Sequence, residues 1–304
     1  MNISIIGACQ TLGSSCDGAQ YGPDSLRNNG LLNRLKRYGI SINDVGNIYN
    51  DDKIICQPNE KLRNYEKIAD LNNRLAGIVS RCLNNDNFPL VIGGDHSLGI
   101  GSINGVARAL GGDNLCVIWV DAHTDINTQE TTPTGNIHGM TLASVLGLGN
   151  EQLSSICGLG AKIKAENIIY VASRDIDEGE SEIIKQHNIQ VFHMDELITN
   201  GINKTVKSIE EHLNSLKISN IYLSIDIDVI DPKLAPGTGV PVPNGLTKEA
   251  VFKVIDVIAG TGKVKGAELV EVNPTLDDDN NTTSQLAVEI IDYLIGRIIN
   301  SYNG

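Results

Sequence analysis

The 304-residue chain contains no run of about 18 consecutive apolar residues, so nothing in it reads as a membrane span. Its opening Met-Asn-Ile-Ser-Ile-Ile-Gly lacks the basic segment of a secretory leader and reads instead as a first strand. The six cysteines, Cys9, Cys16, Cys56, Cys82, Cys116 and Cys157, form no CxxC pair. That argues against a redox motif and for reduced thiols in a cytoplasmic protein. Neither GxGxxG nor GxxxxGK[ST] follows the first strand, which excludes a phosphate cradle there. Basic residues are scarce, with 24 Lys and Arg against 37 Asp and Glu, a net charge of −13 and a pI near 4.8. Nucleic acid and anionic membrane are therefore excluded as main partners, whereas a small cationic substrate is compatible. No linker, low-complexity tract or repeat divides the chain, so residues 1–304 read as one domain.

What is present is a repeated alternation of apolar strands and amphipathic helices. Strands are expected at 3–8, 44–48, 88–92, 115–120, 167–173, 190–194, 220–225 and 265–272. Helices are expected from Pro23 to Gly39, over 61–84, up to Ala109, and over 140–148, 204–217, 247–260 and 282–299. This pattern predicts an α/β protein, a three-layer α/β/α domain with a mostly parallel, doubly wound sheet. Sites in such folds lie beyond the carboxyl ends of the strands, and that is where the polar clusters of this sequence fall.

The central cluster is the sharpest. Leu115 to Val120 is continuously apolar, as suits a strand buried on both faces, and it stops at Asp121, His123 and Asp125. At spacings of two residues these side chains share one side of an extended backbone. The alternative, turn carboxylates around a half-buried histidine, leaves unexplained why acids should crowd beside a core strand without a cation. Two further strands end similarly, one in Gly93-Gly94-Asp95-His96-Ser97 and one in Asp226-Ile227-Asp228. His96, Asp121, His123, Asp125, Asp226 and Asp228 together exceed the needs of one divalent ion and match a bridged pair. Their oxygen-rich mixture suits Mn²⁺, with Co²⁺, Ni²⁺ or Fe²⁺ as substitutes. His187, His193 and His212 lie away from these strand ends and read as surface or core residues.

These residues resemble the ureohydrolases, and within them the arginase family. Its three metal motifs are matched in order by Gly93–Ser97, by Asp121-Ala122-His123-Thr124-Asp125 and by Ser224–Asp228, and the resemblance covers most of the chain. It implies two Mn²⁺ ions and hydrolysis of L-arginine to L-ornithine and urea by a metal-bridging hydroxide. It also implies that Asp125 accepts the proton, that His138 in Gly135-Asn136-Ile137-His138-Gly139 shuttles it, and that Glu271 pairs with the guanidinium. Asn127, Thr132, Thr134 and Asn136 match the segment that grips the substrate carboxylate, and Asp177 and Glu180 match the acids around its amino group. A homo-oligomer, trimer or hexamer, is implied as well.

Two residues depart from the family pattern: Thr134 replaces a common serine, and Val240 replaces a common threonine near the guanidinium pocket. The competing expectations are an agmatinase or guanidinobutyrase, a dinuclear phosphoester hydrolase, and a silent metal-bound regulatory protein. Agmatine has no carboxylate, and the agmatinase branch lacks the Asn127 to His138 pattern found here. A phosphoesterase would call for Arg or Lys around the ions, and the motif segments carry only Arg174 and Lys233.

Overall fold

In the computed structural model, which describes residues 1–303 other than Leu159 and Ala161, the apolar runs become the eight strands of one sheet. They are β1 (Asn2–Cys9), β2 (Ser41–Tyr49), β3 (Asn87–Gly93), β4 (Leu115–Val120), β5 (Ile168–Val171), β6 (Gln190–Phe192), β7 (Asn220–Asp226) and β8 (Val264–Val270). Their spatial order is β2-β1-β3-β8-β7-β4-β5-β6, and every pairing between neighbours is parallel.

Eleven α-helices are present among the described residues: α1 (Gly22–Asn28), α2 (Leu31–Lys36), α3 (Tyr65–Asn84), α4 (Gly99–Leu110), α5 (Thr141–Leu146), α6 (Glu151–Ser154), α7 (Glu178–Gln186), α8 (Met194–Asn200), α9 (Ile202–Ser215), α10 (Lys248–Gly260) and α11 (Thr282–Asn303). Strand β4 shows why the layers form. Its six residues are all buried, and the two-residue period sends Cys116, Ile118 and Val120 into one core and Leu115, Val117 and Trp119 into the other. The first core is closed by α1, α2 and α8 to α11, the second chiefly by α3, α4 and α5.

Two local expectations change. The helix expected from Pro23 to Gly39 is two, because Gly30 adopts φ 89° between α1 and α2. The short helices α6, α7 and α8 were not foreseen. Of these α7 matters most, because it begins in the polar stretch after β5 and brings Glu180 back toward β4.

The sheet order positions the site. β3, β8, β7 and β4, which end in the four polar clusters, are the four central strands. Val120 pairs with Ile225, so the residues that follow, Asp121 and Asp226, leave the sheet side by side. Asp226 in turn pairs with Val270, which sets Glu271 one step beyond.

Because Ile118 is fully buried in the middle of β4, Ile118→Ala is expected to cost about 2–5 kcal/mol in urea unfolding. Val45→Ala, at an exposed position of β2, should stay within about 0.5 kcal/mol.

Candidate metal centre and active-site cavity

The turn after β3 delivers His96. Gly94 must be glycine there, since a Cβ would lie 1.7 Å from the Gln10 carbonyl oxygen. Asp95, fully buried, accepts the Gly13 and Ser97 backbone N–H groups and the Ser97 hydroxyl, and so ties the Gly13 loop to the strand end. The His96 ring lies flat on Trp119, with centroids 3.8 Å apart and 8° between planes.

Around this ring the expected ligands converge. His96 Nδ1 is 3.0 Å from Asp121, 3.1 Å from Asp226 and 3.3 Å from Asp125. His123 Nδ1 is 3.0 Å from Asp228 and 3.5 Å from Asp121. Two compact ligand groups result, His96–Asp121–Asp226 and Asp121–His123–Asp228, and Asp121 belongs to both. His96 Nδ1 and Asp121 Oδ2 are buried and lack any hydrogen-bond partner. Such orphaned atoms are costly in a native structure, and a shared pair of cations accounts for both.

The electrostatics point the same way. Burial, with the charge of Asp121 beside it, lifts the Asp125 carboxyl well above the usual carboxylate range. Burial together with Asp228 and Asp121 does the same for Asp226, and burial with Asp121 raises Asp228. Burial also works against charge on His96 and His123, but the surrounding carboxylates outweigh it and raise both imidazoles. Without a cation the nest must hold protons instead.

Two site residues have left-handed backbones although neither is glycine: Asp125 at φ 48° and Glu271 at φ 61°. This strain aims both side chains across the strand ends. Glu271 Oε1 accepts the His96 backbone N–H at 2.8 Å and lies 3.2 Å from His138 Nδ1. Burial disfavours charge on His138, yet the bond and charge of Glu271 prevail and push its pKa up to about 9.

A cavity of about 260 Å³ opens over the nest. All the other expected site residues line it: Asn127, Thr132, Thr134 and Asn136 from the loop after β4, and Asp177 and Glu180 from the start of α7. Asn127 Nδ2 donates to Asp177 at 2.8 Å, and Ser15 donates to Asn136 Oδ1 at 3.0 Å. Glu180 is more a fastening than a free acid, because its two oxygens already accept the Ile126 and Asp177 N–H groups. Sequence reading passed over Asp175, which lines the cavity 3.8 Å from His123 Nε2, and over Asp95, Ser224 and Glu268 behind His96. Asp95 and Ser224 stand inside two of the matched motifs without a role of their own, Asp175 is one more acid at a strand end, and Glu268 left no trace. A larger cleft of about 630 Å³ at the opposite end of the strands, lined by Tyr38, Phe88, Lys265 and Tyr302, has no cluster of ligating side chains among the described residues.

A parallel α/β/α sheet whose central strand ends converge on a shared carboxylate–imidazole nest defines a metal-centred hydrolase. More narrowly, the chain belongs to the arginase family, whose model matches residues 1–296. It is 40% identical over 296 residues to an arginase of Bacillus subtilis, covering 97% of this chain and 98% of that protein. The solved arginase of Bacillus caldovelox superposes with a TM-score of 0.91 at 39% identity, over 97% of this chain and 98% of that one. An Entamoeba histolytica arginase solved in complex with L-ornithine superposes at 0.87 with 31% identity, over 97% of this chain and all of that one.

Titrating Mn²⁺ into chelator-stripped protein should raise its thermal midpoint, by about 2.7 kcal/mol of added stability per site at 100 times the dissociation constant. EDTA should reverse the gain. The gain should shrink as the pH falls, because His96 and His123 ligate only when deprotonated. An unchanged melting curve in both directions would remove the metal reading.

Proposed function

We propose that the protein is a manganese-dependent arginase that hydrolyses L-arginine to L-ornithine and urea. One observation carries this: seven of the side chains lining the cavity are carboxylates and none is Lys or Arg, while neutral donors line one wall. A guest with cationic groups toward both the nest and α7, and an anionic group toward the wall, matches that division. The Entamoeba relative solved with L-ornithine supports the same reading.

Mn²⁺ is assigned from the oxygen-rich donor set, to be held by His96, Asp121, Asp125 and Asp226 on one side and Asp121, His123 and Asp228 on the other. Bound there, the two ions supply positive charge that lowers the pKa of water toward about 7 and makes a nucleophile available at neutral pH.

The chain's own groups do the rest. Glu271, with Oε1 fixed by the His96 N–H, presents its carboxylate to the planar guanidinium and holds it over the nest. Asp125 accepts the proton given up by the attacking water. His138, hydrogen-bonded to Glu271, carries a proton to the departing amine, which leaves as ornithine's side chain while the attacked carbon becomes urea.

At the far end, Thr132 and Thr134 accept backbone N–H groups with their hydroxyl oxygens and keep their own protons to donate to the substrate carboxylate. Asn136 Nδ2 and the second Nδ2 proton of Asn127 add to them. Asp177, steadied by Asn127 and by the helix start that Glu180 fastens, receives the ammonium. A trimer or hexamer, as the family resemblance implies, belongs to this reading. So does a cytoplasmic location, supported by six cysteines that are all free thiols.

The deciding assay is urea release from L-arginine, agmatine and guanidinobutyrate with Mn²⁺ present. L-Arginine should be turned over far faster than the other two, and preference for either of them would replace the proposal. Asp125→Asn should lower kcat by about 10²–10⁴-fold while the protein stays folded by circular dichroism. Asp177→Asn should raise KM for L-arginine about tenfold with kcat little changed.

A further inference from the structure

We infer that Glu268 is a positioning residue that fixes the tautomer of His96 through Ser224, and so sets the affinity of one of the two ions. The inference rests on the metal reading of the nest. Glu268 lies on β8, 1% exposed, directly behind the His96 ring. Among the described residues it has no Lys or Arg partner; His96 Nε2 lies 3.9 Å away. Three hydroxyls donate to it instead: Ser102 at 2.5 Å and Tyr222 at 3.0 Å on Oε2, and Ser224 at 2.8 Å on Oε1. A carboxylate buried this deeply is costly, and no catalytic step described above uses it.

Its consequence follows from counting protons. A carboxylate can only accept, so Ser224 must aim its single hydroxyl proton at Glu268. The Ser224 oxygen, 2.8 Å from His96 Nε2, is then left to accept, and Nε2 must carry the ring hydrogen. That leaves Nδ1 with a lone pair, and Nδ1 is the orphaned atom that faces Asp121 and Asp226. Stacking on Trp119 fixes the plane of the ring. Gly99 leaves room for the arrangement, since a Cβ there would stand 3.2 Å from Glu268 Oε1 and 3.4 Å from Trp119. His123, in the other ligand group, has no hydrogen bond to Ser224 or Glu268, so the relay acts on the His96 ion alone.

The test uses the full chain stripped of metal and titrated with Mn²⁺, followed by calorimetry and by electron paramagnetic resonance. In Glu268→Gln an amide N–H facing Ser224 must donate to it, which turns the serine proton toward Nε2 and moves the ring hydrogen to Nδ1. One ion should then bind about 10- to 100-fold more weakly and the other as in the wild type. Ser224→Ala, which cuts the relay in the middle, should show the same one-site loss. Ser102→Ala, which removes a donor from the other oxygen, should leave both affinities intact.

Wild-type binding of both ions by Glu268→Gln would overturn the inference, as would an equal loss at the two sites. Weak binding in Ser224→Ala alone would likewise remove Glu268 from the assignment. Failure of the wild type to bind two ions is a separate outcome, which would defeat the metal reading and this inference with it.

Discussion

The structure depends on four aspartates placed where a parallel sheet has least tolerance for them. Strand ends in the middle of an eight-stranded sheet are walled by apolar side chains, and Asp121, Asp125, Asp226 and Asp228 are all at most 7% exposed there. Like charges at hydrogen-bond distances in such a medium repel strongly unless something positive lies between them. The two imidazoles cannot both neutralise the carboxylates as cations and act as neutral ligands. A pair of divalent ions resolves the conflict, and the strand register makes it possible by setting Asp121 beside Asp226 before any loop conformation is chosen.

That register also explains how the nest is distributed. Each ligand motif is short because each strand end contributes only one to three side chains before the chain turns away. The site is therefore assembled from β3, β4 and β7, with β8 adding Glu271, and its accuracy comes from the backbone ladder. The strained backbones of Asp125 and Glu271 are the complement of this economy. A residue leaving a strand in the ordinary extended conformation would point along the pleat, and the left-handed turn redirects it across neighbouring strand ends.

Much of this was legible in the sequence, and for a physical reason. Fully buried parallel strands read as continuous apolar runs, so the abrupt switches to acid or imidazole after β3, β4 and β7 marked strand ends together with candidate ligands. All six expected ligands and every expected substrate-facing residue fall in one cavity or its floor. What escaped had no such contrast. Asp177 and Glu180 read as acids for a ligand, yet they also begin α7, because a capping carboxylate and a binding carboxylate look alike in a linear chain. Glu268 and Ser224 escaped for the opposite reason. They interrupt apolar strands singly, and only the side-by-side packing of β7 and β8 shows that they face each other and His96.

The cavity itself argues for discrimination at its far end more than at the nest. Any guanidinium offers the nest the same planar set of donors, so the carboxylates around Glu271 cannot tell L-arginine from its decarboxylated analogue. In the proposed reading the difference lies in the wall formed after β4, where hydroxyls have their acceptor capacity partly taken by backbone N–H groups and are left as donors. A substrate without a carboxylate would bury those donors unpaired, and an unpaired buried donor costs more than the bond it replaces gains. Val240 modifies this from the other side. On the cavity lining with 40% of its surface exposed, its side chain offers no hydrogen bond to a guanidinium, so in the proposed reading more of the grip falls on Glu271. Selectivity then arises from what the loop would lose with the wrong guest, while the sheet ends supply the chemistry to whichever guest stays.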